Sequence, residues 1–403
     1  MLKLTIFLAL SLLAAGMPLN AAPLAASNPA DFDACLAELK VQISNEVGTG
    51  KELDRMLEAI EEIPRVITLD RSQPEFTQSF TQYYQVRVTQ ARIDKGRALK
   101  RQHAGLFQQI KDDYGVPAHY LLALWGLETN FGGYLGKLSV PSALATLACD
   151  GRRKKFFQGE FLALSRIVAT GGMRPEELQG SWAGAIGHMQ FMPSTFLAHA
   201  IDYNKDGAIN VYKSLPDALG SAANYLHQMD WQAGFRWGRE VHLPTNFDYA
   251  QASYDNWQPL SHWHNLGVTD STGARLADLD LSAALLLPMG SQGPAFVIYP
   301  NFKALMRWNR SSNYALSVGR LADRIAGLGQ LTTPLPDAKE SRFRTADIER
   351  LQLELTALGF DTTGADGVIG PATRNAIRAF QQHHELPADG YPSSAVWQLL
   401  ESQ

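Results

Sequence analysis

A mainly α-helical fold is predicted, with a small stranded insertion and a separate helical tail, on three observations. Apolar residues recur at helical spacing from Asp31 to about Thr170. Between about Val241 and Pro300 the pattern breaks into short apolar segments bounded by Gly and Pro, as short strands do. A polar, Pro-containing stretch, 332–341, then precedes a second compact helical pattern over 342–403. No internal repeat is visible in the sequence.

Taken in order, the chain opens with Met1-Leu-Lys3 and an apolar run from Leu4 to Leu19, followed by small residues up to Ala26. This reads as a secretory signal peptide over 1–26, too short to span a bilayer and with no Cys behind it for lipid attachment. The expectation is a soluble, periplasmic protein with no transmembrane anchor. In the mature part, Phe32, Cys35, Leu36 and Leu39 fall on one helical face. Tyr120, Leu121, Leu124 and Trp125 do so on another, in a helix that starts after Pro117 and is closed by Gly132-Gly133. Further helices are expected after Pro193, through Ala218 to Met229, and from Phe302 to Leu328, with strands at 284–288 and 295–299.

With 403 residues, 45% hydrophobic composition and eight Trp, the chain can bury a large core in two domains, here 27–331 and 342–403. A net charge of -4 with interspersed signs excludes an electrostatic footprint for nucleic acid and favours a neutral or cationic polymer as partner. Cys35 and Cys149 are the only cysteines. In an oxidising compartment they can bridge, worth ~4 kcal/mol of loop closure; the alternative is two separate buried thiols.

The chemistry centres on Glu128, which ends the run Leu121-Leu-Ala-Leu-Trp-Gly-Leu127. A helix apolar on nearly every face is buried, so a carboxyl in its last turn is half out of water and against the helix's negative end. Both effects raise its pKa, as a general acid for glycosidic cleavage requires. The alternative is a solvated residue in a helix-ending loop. Gly180-Ser-Trp-Ala-Gly-Ala-Ile-Gly-His-Met-Gln-Phe-Met-Pro-Ser194 supplies small residues that let backbone approach a ligand, and one amide, Gln190; it also suits a tight helix contact. His-Glu-x-x-His, Cys-x-x-Cys, Gly-x-Ser-x-Gly and phosphate-binding Gly loops are absent. His262-Trp-His264 would place two imidazoles on one strand face, without an evident third ligand.

Glu128-Thr-Asn-Phe-Gly, the Ser181-x-Ala-Gly-Ala-x-Gly-x-x-Gln-Phe-Met-Pro-Ser run and Trp308-Asn-Arg-Ser-Ser-Asn-Tyr314 together resemble the membrane-bound lytic transglycosylase B family of bacterial cell-wall enzymes, over roughly Phe32 to Leu331. The resemblance implies a lysozyme-like helical domain with inserted subdomains around a glycan cleft. It implies that Glu128 is the acid/base, that Ser181 and Gln190 line the cleft, that Arg152 and Arg153 form an arginine pair, and that Tyr225, Asn309 and Tyr314 are further cleft residues. It also implies a structural calcium loop from Asp202, Asn204 and Asp206 to Asp217, with Gly207 at the sharp turn; Lys213 at the usual closing position makes weak binding the expectation. The tail, through Asp366-Gly-Val-Ile-Gly-Pro-Ala-Thr373, Phe380-Gln381 and Leu386-Pro-Ala-Asp-Gly390, resembles the three-helix peptidoglycan-binding domain.

The motif region offers no second carboxylate, whereas ordinary glycosidases place one about 5–9.5 Å from the acid. What the resemblance implies is a route without it and without a cofactor, in which the 6-hydroxyl of N-acetylmuramic acid displaces N-acetylglucosamine and leaves a 1,6-anhydro end. A hydrolytic lysozyme on the same fold, and a non-catalytic wall-binding protein, are the competing readings.

Overall fold

A computed structural model describes residues 29–71, 78–337 and 343–402; the expected signal peptide lies outside them. The fold is mainly helical, and its centre is the helix Ala118–Thr129. Leu121, Leu122, Ala123 and Leu124 expose no surface, because helices Gln90–Gln102 and Ser312–Ala326 cover it from different sides. An all-round apolar helix can exist only in such a sheath. Contrary to expectation, Gly132-Gly133 do not close it: Asn130 takes the left-handed cap, at φ 50°, and Phe131 follows at 59°.

The first helix, Pro29–Glu46, lies against Val140–Asp150, and Cys35 is bonded to Cys149 across that contact. The single helix expected over 302–328 is two, Pro300–Trp308 and Ser312–Ala326. Asn309 and Ser311 break it: the Asn309 Oδ1 accepts the Ser311 N–H, and the Ser311 hydroxyl accepts the Tyr314 N–H. Side chains that bond the local backbone compete with the helix ladder and start a new one.

The insertion is a five-stranded antiparallel sheet. Its strands are β3 (Gly238–His242), β4 (Gln258–Pro259), β5 (Thr269–Asp270), β6 (Ser282–Leu286) and β7 (Ala295–Ile298), in the order β4-β6-β7-β3-β5, after a first pair of β1 (Leu138–Ser139) and β2 (Gln179–Gly180). It has its own core around the buried Trp263. His262-Trp-His264 lies on a short helix, Leu260–Asn265, rather than a strand. Its imidazoles face the Gln251 side-chain carbonyl and the Leu276 backbone carbonyl, and among the described residues no cluster of three or more His, Cys, Asp or Glu could hold a metal.

The tail has three helices, Thr345–Ala357, Pro371–His383 and Ser394–Glu401, around Leu351, Ile377 and Phe380. The structure finds the repetition that the sequence hides. Gln352 donates to Asp366 fourteen residues on and accepts the Gly367 N–H; Gln381 donates to Asp389 eight residues on and accepts the Gly390 N–H. Each buried amide locks one Asp-Gly turn, and the unequal spacing conceals the pair. The tail is also docked: Asp389 accepts the Ser291 N–H at 2.7 Å, and Arg378 donates to the Ala252 carbonyl at 3.1 Å. The start of the linker is held as well, by Thr332 and Thr333 N–H groups donating to the buried Glu240. Among the described residues no helix is long and apolar enough to cross a membrane.

Candidate active site

The last turn of the Ala118–Thr129 helix presents Glu128 half-buried. Its Oε1 accepts the Trp308 indole N–H at 2.9 Å and the Tyr314 hydroxyl. Both donors flank the break at Asn309–Ser311, so one irregularity aims two side chains at one carboxyl. Trp308 is itself fixed: its ring meets Phe191 at 5.4 Å and Tyr225 edge-on at 5.0 Å, and the Tyr225 hydroxyl donates to the Arg307 carbonyl. Burial pushes the Tyr225 pKa up, so it stays a neutral donor.

Gln190 sits in the left-handed region at φ 49°, its amide donating to the Leu135 and Gly187 carbonyls at 3.2 and 3.0 Å. Among the described residues, three of the seven non-glycine residues at positive φ are Asn130, Phe131 and Gln190. Backbone strain of this kind costs about 1–3 kcal/mol per residue and persists where the surroundings over-determine it. Ser181 turns its hydroxyl inward, accepting the Ala185 N–H, and Asn309 caps its own turn. Arg152 and Arg153 turn instead to the buried Asp70, Arg152 at 2.7 Å, so two part-exposed guanidinium groups share one buried carboxylate.

The Asp202 loop satisfies itself. Asp202 accepts the Asp206 and Gly207 N–H groups, Asn204 accepts Asp206 N–H, and Asp206 accepts Ala208 N–H. The fully buried Asp217 takes three more, from Tyr203, Asn204 and Asn210.

A residue that sequence reasoning passed over is His188. Its Nδ1 accepts the Trp125 indole N–H at 3.0 Å, so the proton of the neutral ring belongs on the other nitrogen. Its own carbonyl accepts the Thr129 hydroxyl at 2.8 Å, while that hydroxyl accepts the Gly132 N–H. A Cβ on Gly132 would lie 2.4 Å from the His188 ring, so only glycine fits there. The ring thus ties the Ser181–Ser194 segment to the turn bearing Glu128. The one available signal was a polar ring within a run of small residues.

Comparison with known proteins now decides the lineage. The Transglycosylase SLT domain family matches residues 31–323, and a peptidoglycan binding domain family matches 344–400. The chain belongs to the SLT lytic transglycosylase family. It is 28% identical over 292 residues to Membrane-bound lytic murein transglycosylase B of Escherichia coli, covering 71% of this chain and 78% of that one. SltB3 from Pseudomonas aeruginosa, solved in complex with NAG-NAM-pentapeptide, is 38% identical with a TM-score of 0.87 over 92% of this chain and 99% of its own. The Escherichia coli transglycosylase Slt35 in complex with calcium is 26% identical, with a TM-score of 0.62, over 72% and 92%. For a transglycosylase of this family, the indole and phenol on Glu128 give the site its chemical character: polar donors hold the carboxyl from one side.

Proposed function

We propose that this chain is a peptidoglycan lytic transglycosylase that uses Glu128 as its single acid/base. The observation that carries the reading is the placement of Glu128: a half-buried carboxyl in the last turn of a buried helix, held by Trp308 and Tyr314. Protonated Glu128 gives its proton to the oxygen between N-acetylmuramic acid and N-acetylglucosamine, and the muramoyl N-acetyl group assists. The ionised carboxylate, steadied by the indole N–H and the phenol, then takes the proton of the muramoyl 6-hydroxyl as it closes on C1. Gln190, whose amide nitrogen is already engaged, turns an acceptor oxygen to the sugar.

Mass spectrometry of digested sacculi tests the reaction: 1,6-anhydromuramoyl products without added water are expected, and products heavier by one water per cut would make it a hydrolase. A cleft that only holds glycan would release nothing.

The division into a leader over 1–26, a catalytic unit over 27–331, a linker and a wall-binding unit over 342–403 belongs to the same proposal, as does export to the periplasm. It rests on the apolar leader and on the two family matches. The chemistry uses no cofactor. Calcium fits the Asp202 loop in kind, with oxygen donors from Asp202, Asn204 and Asp206 and Gly207 at φ 93°, but only two of these are carboxylates, and Asp217 is committed to three N–H groups. Weak binding, of structural effect only, follows.

A further inference from the structure

A cavity of about 430 Å³ lies in the seam between the tail and the helical body, outside the groups that hold Glu128. Its apolar walls include Phe80, Leu287 and Ile348. Three arginines line it: Arg310 from the break after Trp308, and Arg374 and Arg378 from the tail helix Pro371–His383. Two carboxylates face them. Asp389 is spent on the N–H groups of Ser291 and Tyr391 and on the Gln381 amide, and Asp255 is exposed on the surface.

Arg378 spans the seam to Ala252, but Arg310 and Arg374 make no hydrogen bond or ion pair within the described residues. Burial and the neighbouring Arg378 charge act against the Arg374 cation, and Asp389 and Tyr391 offset them only in part. A guanidinium does not escape such a cost by losing its proton, so an anion entering the cavity gains what the fold leaves uncompensated. The volume is that of a small-molecule site rather than of a polysaccharide strand.

We propose that this cavity takes the carboxylate-bearing end of the short acidic peptide carried by muramoyl sugars, while the glycan lies at Glu128. The inference rests on the peptidoglycan reading above and adds a second point of recognition to it. Small aliphatic side chains suit the apolar walls, and the peptide's carboxylates suit Arg310 and Arg374. Because Arg310 is two residues from Trp308, the cavity and the acid are tied to the same short segment.

The test compares glycan strands stripped of their peptides with strands that keep them, using the full chain. Arg374→Gln and Arg310→Gln should each lower kcat/KM on peptide-bearing strands about tenfold, mainly through KM, and leave stripped strands unaffected. Arg310 is exposed and unengaged, so its variant reads the cavity without disturbing the dock. Free pentapeptide, titrated calorimetrically, should bind the wild type and be lost in the double variant. Equal losses on both strands, no loss on either, or undiminished peptide binding by the double variant would overturn the proposal. A wild type that cuts neither strand, yet binds the peptide through these arginines, would sink the Glu128 reading and leave the cavity assigned.

Discussion

The turn carrying Glu128 and the loop from Asp202 to Asp217 are both dense in polar groups, and they satisfy them in opposite ways. In the loop, the acceptors and nearly all their donors lie within sixteen residues of one another, and most of the donors are backbone N–H groups. At the turn, the carboxyl is met by side chains 180 and 186 residues away. A locally satisfied cluster holds its own shape and has little left to offer a substrate. A cluster assembled from distant segments depends on the whole fold for its geometry, and its donors can be placed where a reaction needs them.

The largest effect that sharpens this contrast is at Glu128. Glu128→Gln keeps the shape and removes the transferable proton, so turnover on sacculi should fall by at least ~10²–10⁴-fold with an unchanged melting temperature. Near wild-type turnover by the folded variant would break the comparison at its strongest point.

Next is the distant donor. Tyr314→Phe deletes one hydrogen bond to Glu128 and leaves the ring in its buried site, so kcat should drop roughly tenfold, with KM little changed. If only stability moved, Tyr314 would be a packing residue.

The His188 clamp should show mostly in stability. His188→Leu leaves the Trp125 indole N–H buried without an acceptor and should cost about 1–3 kcal/mol, read as a lower denaturant midpoint. His188→Asn, with an oxygen near the position of Nδ1, should recover much of it. Burial holds the His188 pKa below its ordinary 6.5 and takes His119 down to about 4. The unfolded chain therefore gains protons that the folded one refuses, and stability is full above about 6.5 and declines as pH falls toward 4. Thermal melts across that interval should show a shallower decline for His188→Asn than for the wild type.

The smallest effect is expected at the Asp202 loop. Calcium should raise the melting temperature only at millimolar concentration, and Asp202→Ala should abolish that rise while activity falls only in part. A large shift at micromolar calcium would mean that Asp217 leaves its N–H partners to join the ion.

The local features were legible before any coordinates. Helical periodicity located the acid helix, the Gly- and Pro-bounded segments located the insertion, and the Asx-rich run located a tight loop, because each of these is decided by neighbours in the chain. The break at Asn309–Ser311 was missed although residues 309–313 are all polar, a gap whose Asn and Ser side chains can bond local backbone, and the helix ends at Asn130 because two neighbouring residues accept left-handed backbone. The parts that only the tertiary structure decided are those that join segments far apart: Trp308 and Tyr314 on Glu128, His188 under Trp125, Arg152 and Arg153 on Asp70, Cys35 bonded to Cys149, and the docking of the tail through Asp389. The physical reason is range. Backbone propensity and hydrophobic period act over one or two turns, whereas a side-chain donor is assigned to its acceptor by the packing of the entire core.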